Sequence, residues 1–195
     1  HPCTLAVHRD EVPWEDAISK LKYLGYTSHD AGTCGLHIHV SRKAFGETEE
    51  EQDDAISRVL YFFEAHWDEL LRFSRRTQSQ LDRWAARYGY SHNPKDILDK
   101  AKDADRYTAV NLKNRRTVEF RMFRGTLKLN TILATLELIH LVCDLANRLD
   151  DEEMQELSWI KFVSDIDTEE YPELIQYLKE RRIYINEPVE AEAEV

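Results

Sequence analysis

At 195 residues the chain suits one core-forming domain, and its 42% hydrophobic and 32% charged residues are ordinary globular usage, which excludes wholesale disorder. Acidic residues outnumber basic ones 37 to 26, a net charge of −11, so no general grip on nucleic acid is expected and any anion site must be local. Cys3, Cys34 and Cys143 form neither a disulfide framework nor a thiolate zinc site, which fits a cytoplasmic setting; no apolar run is expected to approach the roughly 18 residues of a membrane span, and no membrane partner is expected.

The chain opens in text that reads as a strand, Cys3 to Val7, and this abrupt start leads to the expectation that an upstream portion is missing. Trp14, Ala17, Ile18, Leu21 and Leu24 recur at helical spacing, with Gly25 as a C-terminal stop. Leu36 to Ser41 alternates apolar and polar with period two, the pattern of a half-buried strand. Thr48 is a credible N-cap for a long helix reaching about Arg72, its acidic first turn complementing the helix dipole. Helical composition continues from Phe73 towards Tyr90, and Gly89 to Pro94 marks a loop. Tyr107 to Leu112 and Thr117 to Phe123 read as two antiparallel strands joined by Lys113 to Arg116. Asn130 or Thr131 can cap an apolar helix running to Leu149. Small helices broken near Tyr171-Pro172 follow, and 186–195 is an acidic tail expected to be disordered. The expected organisation is a catalytic region over 1–150, a helical C-terminal extension over 151–185 and the tail. The fold class is α+β, an antiparallel sheet with long helices packed on one face.

Strand periodicity puts Leu36, Ile38 and Val40 on one face and His37 and His39 on the other, with the two histidine Cα atoms roughly 7 Å apart. Two imidazoles could share a metal ion, or divide metal and substrate between them; the same spacing also suits two solvent-facing histidines. Val118, Phe120 and Met122 likewise leave Glu119 and Arg121 together, a carboxylate and a guanidinium that could hold a cation and an anion side by side or be an ordinary exposed pair. Arg124, before Gly125-Thr126, could present its fork to a phosphate or carboxylate. Tyr107 and Asn111 share a strand face, and Arg75 and Arg76 follow the apolar stripe of the long helix. His66 and His140 are read as packing or boundary residues, and Trp84, Tyr88 and Tyr90 as packing rather than a base-stacking platform.

Together, Gly32 to Arg42 (GTCGLHIHVSR), Tyr107 to Leu112 (YTAVNL) and Thr117 to Leu127 (TVEFRMFRGTL) resemble the amidoligase family, of the carboxylate–amine ligase superfamily that includes glutamine synthetase and glutamate–cysteine ligase. The resemblance covers roughly residues 1–150. It implies a glutamine synthetase-like fold and a reaction in which ATP phosphorylates a carboxylate and an amine displaces the phosphate, with Mg²⁺ or Mn²⁺ as cofactor. It assigns His37 and Glu119 to metal, His39 and Arg121 to catalysis with Arg124 as a companion, and Asn111 to substrate, with Tyr107, Arg75 and Arg76 as further substrate contacts. The partners implied are small-molecule or peptide carboxylates and amines; the oligomer is left open. Members of the family usually begin with a strand bearing an E-x-E pair, which residues 1–36 lack. The alternatives are a zinc hydrolase or cupin-like metal enzyme built on H-x-H, and a non-catalytic interaction domain.

Overall fold

The computed structural model describes residues 3–28 and 34–184. Its frame is a three-stranded antiparallel sheet in the order β1-β3-β2, formed by β1 (Gly35–Ser41), β2 (Val110–Asn111) and β3 (Thr117–Arg124). β3 is central because its alternate residues Val118, Phe120 and Met122 are fully buried, and helices close over that face. Phe63 of α3 (Glu49–Ala65) meets Phe120 at 5.5 Å, and Phe73 of α4 (Trp67–Ser74) meets Phe123 edge-on at 5.9 Å. The α+β class with helices on one face is therefore present.

Several local expectations hold for the physical reasons given. Thr48 caps α3 through a reciprocal capping box with Glu51. α2 (Trp14–Tyr23) ends in a Schellman turn, Tyr26 N–H bonding Leu21 C=O and Gly25 N–H bonding Lys22 C=O, with Gly25 at φ +78°. His66 is buried against Phe62 and Trp159, its Nε2 3.0 Å from Leu157 C=O.

Others are corrected. The strand-like text at the start forms α1 (Leu5–Asp10), because Thr4 caps it and no strand among the described residues pairs with it. The long helix breaks at His66, whose φ of −109° and ψ of 32° leave the helical region, so α3 and α4 are separate. The strand from Tyr107 shrinks to Val110–Asn111, since Ala109 C=O accepts from Arg121 N–H but Tyr107 and Ala109 bond Ala86 instead. α5 (Gln78–Trp84) occupies part of the arginine-rich stretch, and Asn93-Pro94 starts an unanticipated helix, α6 (Pro94–Asp103), through an Asn93 cap. α7 (Leu129–Arg148) begins one residue before Asn130, with Lys128 at its N-cap position.

Helices α8 (Asp151–Glu156), α9 (Trp159–Ser164) and α10 (Pro172–Glu180) share the same hydrophobic core as the sheet, through Met154, Trp159, Phe162, Leu174 and Tyr177. By length and composition alone α7 is apolar enough to cross a membrane, contrary to the expectation for this chain; 61% of that window is buried within the fold. Residues 185–195, and with them the whole of the expected tail, lie outside the described residues.

Replacing Phe120 by Ala removes a ring fully enclosed by β3 and α3 and is expected to lower unfolding free energy by about 3–5 kcal/mol in urea melts. Thr48→Ala, which removes only the cap, is expected to cost about 1 kcal/mol by the same measurement.

Candidate functional site

The face of the sheet away from the helices takes its geometry from the β1–β3 register. His39 lies opposite Glu119, and Val40 opposite Val118, but Leu36 pairs with Phe123 while Ile38 pairs with Phe120. Two steps on β1 thus match three on β3, a bulge in which Arg121 and Met122 together oppose His37. Cross-strand partners share a face, so the bulge has a second effect. Unbroken alternation from Glu119 would place Phe123 on the polar face; instead Phe123 is buried and Arg124, opposite Gly35, joins the face of His37 and His39.

Glu119 is the hub of that face. Its Oε1 lies 2.7 Å from Arg121 Nη1, 3.0 Å from His37 Nδ1 and 3.6 Å from His39 Nε2, and its Oε2 accepts a 2.7 Å bond from Asn111 Nδ2. His39 is oriented from behind by Thr117, 3.1 Å from Nδ1. Arg121 Nε is buried without a hydrogen-bond partner, a cost that a bound anion or water would relieve. Tyr107 stands beside it, its ring centroid 5.9 Å from the Arg121 guanidinium carbon, in a stack with Trp84 and Arg106.

The electrostatics follow from these contacts. Burial alone would raise the Glu119 carboxyl, but the Asn111 amide and Arg121 guanidinium hold it below the usual carboxylate range, so it is ionised. Burial and Arg121 push the His37 imidazole below the usual histidine value, outweighing the pull of Glu119 in the other direction. His37 is accordingly a neutral imidazole at neutral pH, the form that ligates metals or accepts a proton.

Arg76 completes the face from another element. α4 ends with Arg75 in the left-handed region, at φ +59°, and this reversal sends the next residue back towards β1. A Cβ on Gly35 would lie 2.6 Å from Arg76 Nη2 and 2.8 Å from His37 Nε2, so glycine there leaves the space in which the guanidinium meets the imidazole. Arg75 does not join it: its charge acts on the Tyr177 hydroxyl, whose own hydrogen bond goes to Phe73 C=O. Arg75, Arg76 and Arg124 instead line one cleft together with Arg72 and Arg181.

Of the residues singled out from sequence, His37, His39, Glu119, Arg121, Asn111 and Tyr107 thus converge directly, Arg76 reaches them, and Arg75 and Arg124 sit on an adjoining cleft. Sequence reading missed Thr117, Arg72 and Arg181. It also passed over Glu64, buried on α3, which accepts from Arg87 Nε and from the Tyr88 and Gly89 N–H groups and so ties down the loop before α6. The run Arg72…Arg75-Arg76 and the pair Arg181-Arg182 were visible as charge clusters, but nothing local indicates that they meet.

Among the described residues no group of three or more His, Cys, Asp or Glu side chains is arranged to hold a metal ion. Glu119 retains acceptor capacity on Oε2, enough for a magnesium or manganese ion that takes most of its ligands from water and phosphates. Comparison with family models, curated proteins and solved structures finds no match to this chain.

In NMR titrations His37 is expected to protonate at lower pH than an ordinary histidine, and Glu119→Gln to shift it lower still, because a raising influence is removed. Since folding depresses both groups, their contribution to stability is present at neutral pH and is lost on acidification, first as pH falls below about 6.5 for His37 and then below about 4.5 for Glu119. Melting temperatures that rise on acidification through that range would contradict this assignment.

Proposed function

We propose that the chain is the core of an ATP-dependent carboxylate–amine ligase working on the polar face of the sheet. The single observation that carries this reading is the ionised Glu119 flanked within one cluster by a neutral imidazole, a second imidazole, an amide donor and a guanidinium with an unsatisfied Nε. That set suits a reaction in which a carboxylate and a phosphoryl group, both anionic, must be brought together and a proton then removed from an amine.

In the first step a substrate carboxylate oxygen attacks the γ-phosphorus of ATP, ADP departs, and an acyl phosphate forms. Arg121, its Nη1 anchored by Glu119, is the group proposed to neutralise the transferring phosphoryl oxygens. In the second step an amine attacks the acyl carbon, inorganic phosphate leaves with the bonding electrons, and the amide forms as the nitrogen loses a proton. His39, its ring held by Thr117, is the acceptor proposed for that proton. Asn111 fixes the Glu119 rotamer from the adjoining strand, and Tyr107 flanks Arg121 on the substrate side. A Mg²⁺ or Mn²⁺ ion entering with the nucleotide would be held by Glu119 and His37 and would supply charge neutralisation of the phosphates.

A zinc enzyme is the second reading, favoured by one observation: His37 Nδ1 and His39 Nε2 both face the same Glu119 oxygen, and imidazole nitrogen suits transition ions better than Mg²⁺. Arg121 on that oxygen opposes it, since a guanidinium repels a cation there.

ADP release from ATP, assayed over a panel of amines and carboxylates with Mg²⁺, separates the two. Stimulation of release by one amine and carboxylate pair is expected, with Glu119→Gln and Arg121→Gln each lowering it by 100-fold or more, on the order of the loss of one preorganised charge-stabilising group. Thermal stabilisation by Zn²⁺ alone, unaffected by ATP, together with no amine-dependent release from any pair, would overturn the ligase reading in favour of the zinc one.

A further inference from the structure

Arginines gather at the edge of the sheet where α4 and α10 both end. Arg72 and Arg75 come from the last turn of α4 and its cap, Arg76 from the reversal after it, Arg124 from the end of β3 and Arg181 from the cap of α10, all lining one open cleft of about 530 Å³. Among the described residues the rest of the lining is Leu71 and Thr77. Among the described residues none of the five arginines is in an ion pair with a carboxylate, although the chain carries a net charge of −11. Five like charges with no counter-charge repel one another unless an anion sits between them.

Backbone conformation adds an independent observation. The only described non-glycine residues with positive φ are Arg75, at 59°, and Arg182, at 55°, and they end the two helices that flank this cleft. Arg182 stands where a Schellman turn ordinarily has glycine, with Ile183 N–H bonded to Leu178 C=O and Arg182 N–H to Lys179 C=O. Both helices therefore end in a conformation unfavourable for their residue type, a kind of strain that concentrates at binding sites. The two ends are also tied together, since Arg181 Nε and Nη2 donate to Arg72 C=O at 3.1 and 3.0 Å.

We propose that this cleft binds a short phosphate chain, with Arg72, Arg75, Arg76, Arg124 and Arg181 as its ligands. Planar guanidinium forks match phosphate oxygens in pairs, and several forks converging from different elements suit adjacent phosphates better than one isolated anion. An acidic peptide is disfavoured because its methylene arms and backbone need apolar and amide partners, and Leu71 is the single apolar residue in the lining. The phosphate chain can be free or the tail of a nucleotide. The inference goes beyond the ligase reading and does not depend on it: Arg72 and Arg181 lie outside the residues given a role there, and one of them comes from the C-terminal helices.

Calorimetric titration of the full chain with inorganic tripolyphosphate tests this. One site is expected, with affinity that falls as salt rises, and with a loss of about tenfold or more in Arg72→Gln and again in Arg124→Gln, the size expected for a charged hydrogen-bonded contact. Arg124→Lys, which keeps the charge but loses the fork, is the companion variant should either glutamine variant melt early, and is expected to bind several-fold more weakly. Tighter binding of ATP than of tripolyphosphate that is weakened equally by Arg72→Gln identifies a nucleotide tail as occupant of the cleft; ATP binding no tighter than tripolyphosphate, or insensitive to Arg72→Gln, identifies a free oligophosphate. No binding of tripolyphosphate, unchanged affinity in the folded variants, or equal affinity for triglutamate would each overturn the proposal. Amine-dependent ADP release that persists in such a case leaves the ligase reading standing, and its absence beside intact tripolyphosphate binding removes that reading alone.

Discussion

The antiparallel pairing of β1 with β3 is the constraint on which the rest of the molecule depends. It sets His39 against Glu119 across a ladder whose strands are separated in the chain by the four helices α3 to α6, and its bulge decides which side chains of β3 share their face. The pairing is stabilised from the opposite side, where fully buried Val118, Phe120 and Met122 lie against α3 and its neighbours. A one-residue slip would turn those three outward and bury Glu119 and Arg121, exchanging apolar burial for unpaired charge. The hydrophobic face therefore specifies the polar one.

On that polar face a single carboxylate organises the remaining groups. Glu119 accepts from Asn111 on β2, Arg121 on its own strand and His37 on β1, so all three strands contribute to one charge. Low exposure strengthens each of these contacts and raises the cost of leaving any group unpaired, which is why the orphaned Arg121 Nε stands out. The acidic balance of the whole chain and the basic character of this one edge are compatible, because screening confines each charge to its neighbourhood within about 10 Å. A net charge of −11 offers no general attraction for nucleic acid and has no bearing on a local anion site.

A second buried carboxylate holds the C-terminal helices in place. Glu137, fully buried in α7, pairs with Arg9 of α1 at 2.7 Å and accepts the Leu174 N–H of α10 at 2.7 Å. Burial pushes its carboxyl up, and the Leu174 and Arg9 contacts pull it back. This position also accounts for a helix that passes a compositional test for membrane crossing while lying in a folded core: α7 is covered on several sides, by α1, α3 and α10. Through α10 the same packing carries Arg181 to the end of α4.

Much of this was legible in the sequence, and the parts that were share a cause. Period-two text at Leu36 to Ser41, the strand from Thr117 to Phe123, the Thr48 cap and the Gly25 stop are local patterns, governed by the backbone of a few consecutive residues, and the structure keeps each of them, the alternation of the second strand up to its bulge. They were sufficient to put His37 beside His39 and Glu119 beside Arg121. Where the reading failed, a distant partner decided. Cys3 to Val7 has the composition of a strand but, among the described residues, no strand to pair with; the stretch from Tyr107 loses most of its ladder to Ala86; and a bulge visible only in the pairing returns Arg124 to the polar face. The sequence by itself determined which residues are paired in kind on each strand, because side-chain alternation is a property of one strand. Only the tertiary structure decided that the two pairs meet at Glu119 and that five arginines from three segments share a cleft, because register and helix packing are set by contacts between residues far apart in the chain.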